Sequence, residues 1–148
     1  VTAVRLAGCP LCDGPGGRVV YESEALRVIH AGEPGFPGFY RVVWQSHVAE
    51  WSQLPAAERA RCMDALVTVE QCLREVLAPA KINLATLGNL VPHLHWHVIA
   101  RFDWDSRWPA PVWAAPQREA DPARERAIEL QLPQLEREIA LRLATGDS

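Results

Sequence analysis

The 148-residue chain predicts an α+β fold: an antiparallel sheet of about five strands, a long central helix and a C-terminal helix. Three observations carry this. Three short β-branched and aromatic runs come first, joined by hairpin-length connections. A long stretch with four-three apolar spacing follows. Two more strand-like runs and a second helical stripe complete the chain.

Cys9 to Gly17 is rich in proline and glycine and reads as a loop. Arg18–Tyr21 and Leu26–His30 read as two strands with Glu22–Ala25 as their connection. Gly32–Gly38, with Pro34 and Pro37, is a loop. Phe39–Trp44 is the third strand. His47–Leu54 leads to Pro55, a residue tolerated in a first helical turn because its missing N–H costs nothing there. Cys62, Leu66, Val69, Leu73 and Val76 form one stripe, so a helix is predicted to end near Leu77, before Pro79. Ile82–Leu87 and His93–Phe102 read as the fourth and fifth strands. Asp103–Pro116 carries three tryptophans and three prolines and excludes a regular element. Asp121–Pro122 has the form of a helix start. Ile128, Leu132, Leu135 and Ile139 make the second stripe, which Pro133 is expected to kink or divide. The tail Ala144–Ser148 is expected to fray.

The length suits one domain, 1–148: a loop at 9–17, the sheet and central helix at 18–102, and a Trp/Pro-rich loop with the C-terminal helix at 103–148. Apolar residues make up 49% and charged residues 22%, ordinary for a globular protein. The net charge of −3 argues against a nucleic-acid partner, which calls for a basic patch. No apolar run approaches the ~20 residues of a membrane span, and the first residues lack the pattern of a signal peptide. The expectation is a cytoplasmic protein without a membrane partner. Cys62 and Cys72 fall in the helical stripe and read as small buried apolar residues.

The chemistry concentrates in His93-Leu94-His95-Trp96-His97-Val98-Ile99, which holds three of the five histidines. In a strand, residues two apart share a face, so three imidazoles face one way and Leu94, Trp96 and Val98 the other. A His-x-His pair on a strand can begin a zinc site. Imidazole is equally suited to attack phosphorus, because its neutral form is well populated near pH 7. Cys9-Pro10-Leu11-Cys12 is a second candidate. A redox C-x-x-C opens a helix after a strand; with Asp13-Gly14-Pro15-Gly16-Gly17 next, no helix is expected to start, and a zinc knuckle fits better than a redox motif. Two free thiols are the remaining alternative. His30 reads as a hydrogen-bonded structural histidine, with an approach to a nucleoside pocket as the lesser option. Asp103 and Asp105 could attract a metal, but are expected to be solvated. The tryptophans from Trp104 to Trp113 could stack on a base or pack over the sheet.

The alternation His-φ-His-φ-His-φ-φ, with φ apolar, resembles the histidine triad (HIT) family of nucleotide hydrolases and transferases. Asn83–Pro92 before it, Val98–Arg101 after it, and Arg41–Trp44 followed by His47 extend the resemblance over most of residues 9–113. Trp108-Pro109-Ala110-Pro111-Val112-Trp113 resembles a bacterial branch described as diadenosine tetraphosphate hydrolases. The resemblance implies a HIT-like fold and a homodimer. It implies that His95 attacks the α-phosphorus of a dinucleoside polyphosphate or nucleoside phosphoramidate, forming a nucleotidyl-histidine that water hydrolyses. A backbone carbonyl would hold the other ring nitrogen. His97 would assist the leaving group, and Asn83 and Asn89 would contact ribose or phosphate. His97 stands where related uridylyltransferases carry Gln, which favours hydrolysis over transfer. The turn Leu87-Gly88-Asn89-Leu90 is poorer in glycine than the family's usual form. The resemblance further implies a structural zinc held by Cys9, Cys12, His47 and His93, with no organic cofactor. The competing functions are a phosphorylase or nucleotidyltransferase, and a nucleotide-binding module with little turnover.

Overall fold

Five antiparallel strands form one sheet in the order β1-β2-β3-β5-β4 in the computed structural model, which describes residues 3–146. The strands are β1 (Arg18–Glu22), β2 (Leu26–His30), β3 (Phe39–Trp44), β4 (Lys81–Ala85) and β5 (His95–Arg101). β2 and β3 have the predicted bounds. β4 begins one residue early and stops at Ala85, where the loop to Gly88 departs. β5 begins at His95 rather than at the expected His93, because the His93 N–H turns back to Val91 O (2.8 Å) instead of joining a ladder. The chain still bonds to β3 and the segment after it there: Leu94 N–H donates to Val48 O (2.8 Å) and Trp44 N–H to Leu94 O (3.1 Å).

One face of the sheet carries the helices. α2 (Ala56–Leu77) lays Cys62, Leu66, Val69 and Leu73 against Val28, Tyr40, Val42 and Val98. Each fully buried aliphatic side chain there contributes about 1.5–3 kcal/mol by area. Cys62 and Cys72 are buried and unpaired with each other, as expected of small apolar residues. Val76 is only partly buried and Leu77 takes its place in the core. α2 ends at Ala78, whose left-handed backbone (φ 48°) returns its N–H to Arg74 O, and Pro79 follows.

α3 (Pro122–Glu129) starts at Asp121, whose side chain accepts the N–H of Arg124. α4 (Leu132–Gly146) follows after a break at Leu130–Gln131. Pro133 divides the helical pattern as anticipated, and Ile128, Leu132, Leu135 and Ile139 are all buried. Ala144–Gly146 belong to α4; the rest of the tail expected to fray lies outside the described residues.

The opposite face holds Ile29, Phe39, Arg41, Val43, His95, His97 and Ile99, since alternate residues of β2, β3 and β5 point there. Its two ends are covered. Cys9, Leu11 and Cys12 pack on Ile29 and Val43, while Phe36 and Val112 pack on Phe39 and Ile99. The middle is left open. Among the described residues no helix is long and apolar enough to cross a membrane.

The Trp/Pro-rich segment is irregular, as predicted, but Asp105 within it is not solvated. It is 3% exposed, and its carboxylate forms a two-pronged pair with Arg101, which is 1% exposed (Nε to Oδ2 2.9 Å, Nη2 to Oδ1 3.0 Å). Arg101 also donates to Ala110 O, and its guanidinium carbon lies 6.0 Å from the centre of the Phe36 ring and 5.9 Å from that of Trp108. Asp105 reads as a surface residue when isolated in sequence. It is buried because a buried guanidinium needs its charge. Asp103 is exposed.

Candidate functional site

A cavity of about 420 Å³ opens on the uncovered middle of the sheet. His95 and His97 of β5, Arg41 of β3, Asn89 of the β4–β5 loop and Trp113 line it. Strand alternation brings both imidazoles to this face at a ring separation of 5.1 Å.

His95 is fixed by its own strand. Its Nδ1 lies 2.6 Å from the backbone carbonyl of His93, so Nδ1–H donates and Nε2 keeps its lone pair. Thr86 Oγ1–H donates to His95 O (2.8 Å), tying the loop after β4 to the same residue. Burial pushes the His95 pKa down; the bond to His93 opposes this and the charge of Arg41 adds to it. The ring is therefore held neutral.

His97 faces Arg41 across the β3–β5 register. Arg41 Nε–H donates to His97 Nδ1 (3.2 Å), which places the His97 proton on Nε2. Burial, then His95, then Arg41 push its pKa down to about 4. Trp113 stands edge-on to His97 with ring centroids 5.1 Å apart.

The two asparagines separate. Asn89 lines the cavity. Asn83 pairs with Ile99 in register and so shares the face, but its Oδ1 accepts from Arg101 Nη1 (2.9 Å). His30 lies on the helix-covered side, edge-on to Tyr40. Its Nε2 donates to Pro37 O (2.9 Å) and its Nδ1 accepts Gly32 N–H (3.1 Å), which satisfies the ring.

Cys9, Cys12, His47 and His93 converge next to the triad, their ligand atoms all within 4.8 Å of one another. Cys9 Sγ and Cys12 Sγ each lie 3.4 Å from His93 Nδ1; Cys12 Sγ is 3.5 Å from His47 Nδ1, and the two Nδ1 atoms are 3.1 Å apart. Tetrahedral zinc with Zn–S about 2.3 Å and Zn–N about 2.0 Å sets its ligand atoms roughly 3.3–3.8 Å apart, so the donor set fits. The surroundings fit as well. His93 Nε2–H donates to Trp44 O (2.6 Å), which frees Nδ1 as a ligand, and Leu6 N–H donates to Cys12 Sγ (3.3 Å). Burial pushes the Cys12 thiol up from its ordinary pKa, and a cation among these atoms would reverse that.

One expectation about this segment needs correcting. A helical turn does form at the C-x-x-C: α1 (Pro10–Asp13) starts directly after Cys9. Pro10 is at home at the first helical position, and Gly14 N–H closes the turn on Pro10 O. The turn is then clamped by Arg27, which donates to Leu11 O (2.7 Å), Gly14 O (3.2 Å) and Pro15 O (2.9 Å). Gly17 is required beyond it, because a Cβ there would sit 2.4 Å from His30 O.

Arg41, Thr86, Arg27 and the Arg101–Asp105 pair were not singled out as site-building residues in the sequence. For Arg41 a signal exists: it is the one charge in an otherwise apolar strand. Thr86 carries none, since its bond to His95 depends on how the loop closes.

Residues 16–104 match the model of the family described as the HIT domain. No curated protein matches the chain. Among solved structures, a histidine triad protein of Bradyrhizobium japonicum is 28% identical with a TM-score of 0.71, covering 93% of this chain and 98% of that one. A histidine triad protein of Marinobacter aquaeolei is 26% identical with a TM-score of 0.66, covering 85% and 93%. A zinc-bound histidine triad family protein of Mycobacterium smegmatis shares the fold at 22% identity, TM-score 0.59, covering 95% and 96%. With the matched domain spanning more than half its length, and with His95 and His97 on β5 and His93 just before it, this chain belongs to the HIT domain family.

Proposed function

We propose that this protein is a nucleotide hydrolase acting at the α-phosphorus of a dinucleoside polyphosphate or nucleoside phosphoramidate, through a nucleotidyl intermediate on His95. One observation carries the reading: His95 donates Nδ1–H to the His93 carbonyl at 2.6 Å, which leaves Nε2 as a neutral, fixed nucleophile in the cavity. The Nε2 lone pair forms a bond to the α-phosphorus as the bond to the leaving group breaks. The Nε2–H of His97 donates to the bridging atom or to a phosphate oxygen. Asn89 donates an amide N–H to a phosphate oxygen without adding charge. Water then attacks the same phosphorus, the P–N bond breaks, and the nucleoside monophosphate leaves with His95 restored. Asn83 sits on the same face, and its amide N–H₂ remains available to ribose or phosphate.

Cys9, Cys12, His47 and His93 would hold a structural zinc, whose four protein ligands leave no open position for substrate. Bound there, the metal would fix the backbone of His93, whose carbonyl orients His95. The homodimer belongs to the same reading, since β4 is an edge strand carrying exposed Leu84; light scattering on the purified protein tests it.

The test is product analysis over a panel of dinucleoside polyphosphates and nucleoside phosphoramidates, with His95→Ala as control. Turnover in the parent and its loss in His95→Ala, with nucleotide still bound, is expected. Full activity in His95→Ala would end the proposal. Phosphate-dependent release of a nucleoside diphosphate would make the enzyme a phosphorylase instead.

A further inference from the structure

β3 reads Phe39-Tyr40-Arg41-Val42-Val43-Trp44, and Arg41 is its only charge. It stands opposite His97 and lines the cavity with His95 and Asn89. The two buried arginines among the described residues are satisfied, Arg101 by Asp105 and Arg27 by three carbonyls and Gln45 Oε1, whereas half-buried Arg107 has an unpartnered Nε but does not line this cavity. Among the described residues no carboxylate forms an ion pair with Arg41. Its hydrogen bond runs from Nε–H to His97 Nδ1, and its guanidinium carbon lies 5.1 Å from the centre of the Phe39 ring. The remaining guanidinium N–H groups have no protein acceptor among the described residues. Glu33 acts on it electrostatically without forming an ion pair, so burial of this guanidinium is only partly compensated. Placed in a cavity wall, the guanidinium calls for an anion from outside.

We propose that Arg41 is a specificity-determining residue that binds the phosphate next to the scissile one, selecting substrates whose leaving group is itself a phosphate chain. This rests on the hydrolase reading above. The bond to His97 sets the side on which Arg41 acts, because His97 serves the leaving group. The α-phosphate is common to dinucleoside polyphosphates and nucleoside phosphoramidates. Only the former adds an anionic phosphate beyond the scissile bond, and a planar guanidinium meets such a group with two parallel charge-assisted bonds.

The experiment measures kcat/KM for a dinucleoside tetraphosphate and for a nucleoside 5′-phosphoramidate with a neutral amine leaving group, in the parent, Arg41→Met and Arg41→Lys. Arg41→Met is expected to lower the ratio of the two values by about 10- to 100-fold, the worth of hydrogen bonds between charged groups. Arg41→Lys should recover part of it. A ratio unchanged within about 2-fold overturns the proposal, and this includes equal losses on both substrates, which would mean that Arg41 serves only His97 or the α-phosphate. Arg41→Gln replaces Arg41→Met if the latter lacks the parent's circular dichroism. If the parent turns over neither substrate, the hydrolase reading fails. Calorimetric titration with inorganic pyrophosphate then decides Arg41 separately: binding at least about 10-fold weaker in Arg41→Met upholds it, and equal or absent binding overturns it.

Discussion

Replacing Asp105 by Ala should destabilise this protein more than almost any other single change of a charged residue. The Asp105 carboxylate accepts five hydrogen bonds: from Arg101 Nε and Nη2 and from the backbone N–H groups of Phe102, Arg107 and Trp108. Arg101 is 1% exposed, so removing its partner strands a guanidinium in the interior. Breaking a buried pair in this way costs about 3–5 kcal/mol, a large share of a typical domain stability of about 5–15 kcal/mol. With a urea m-value of about 2 kcal/mol/M, the unfolding midpoint should fall by roughly 1.5–2.5 M. The double variant Arg101→Met/Asp105→Ala should regain at least about 1 kcal/mol over Asp105→Ala, because no charge is left unpaired.

Acid should act in the same direction. Burial alone pushes the Asp105 carboxyl up, but the bonds and charge of Arg101, with the N–H groups of Arg107 and Phe102, outweigh it and hold the pKa below the ordinary value. A lowered folded pKa means that the pair's contribution is complete above the unfolded carboxyl range near ~3.9 and is lost as pH falls through the folded value. Urea melts of parent and Asp105→Ala should therefore converge as the pH is taken below about 4. A midpoint shift under about 0.5 M at pH 7, or a double variant as unstable as the sum of the singles, would refute the reasoning.

Cys12→Ser should lose the metal that elemental analysis is expected to find at one atom per chain. Its Tm should fall by at least about 5 °C, roughly 2 kcal/mol for a chain of this size; an unchanged metal content would contradict the ligand set. His97 should titrate well below the ordinary histidine value in NMR spectra, because its pKa is pushed down to about 4 by burial, His95 and Arg41. It is then neutral throughout the physiological range, and an observed value near 6.5 would remove it as a fixed Nε2–H donor. Trp113, exposed and 5.1 Å from His97, should report nucleotide binding by a change in fluorescence that Trp113→Phe abolishes; an undiminished signal in that variant would place the nucleotide elsewhere.

What was legible in the sequence was what local periodicity encodes. β2 and β3 have their expected bounds because their β-branched and aromatic runs stop at turn residues. The shared face of His95 and His97 was legible because a strand's period of two puts them there whatever lies around them. The ligand cluster came from a resemblance, and spacing alone would not have joined Cys9 to His93 across 84 positions. What stayed hidden depended on tertiary partners. Asp105 looks solvated until Arg101 is seen beside it. His93 looks like a third equal member of a strand until its N–H is seen turned back to Val91 O, with its side chain among the cysteines and its carbonyl bonded to the His95 ring. The helical turn after Cys9 was readable from Pro10 in a first-turn position, but the glycines beyond it masked the signal.

Because its side chain belongs to the Cys9–Cys12–His47 cluster and its backbone carbonyl holds the His95 ring, His93 links the two sites through one residue. The claim at the centre is that His95 Nε2 takes the nucleotidyl group. Acid-quenched mixing of the protein with excess dinucleoside polyphosphate, followed by intact-mass measurement and peptide mapping, tests it most directly. The account predicts one added nucleotidyl group per chain, located on His95 and absent in His95→Ala. Turnover by the parent with no adduct at any quench time, or an adduct that persists in His95→Ala, would contradict it.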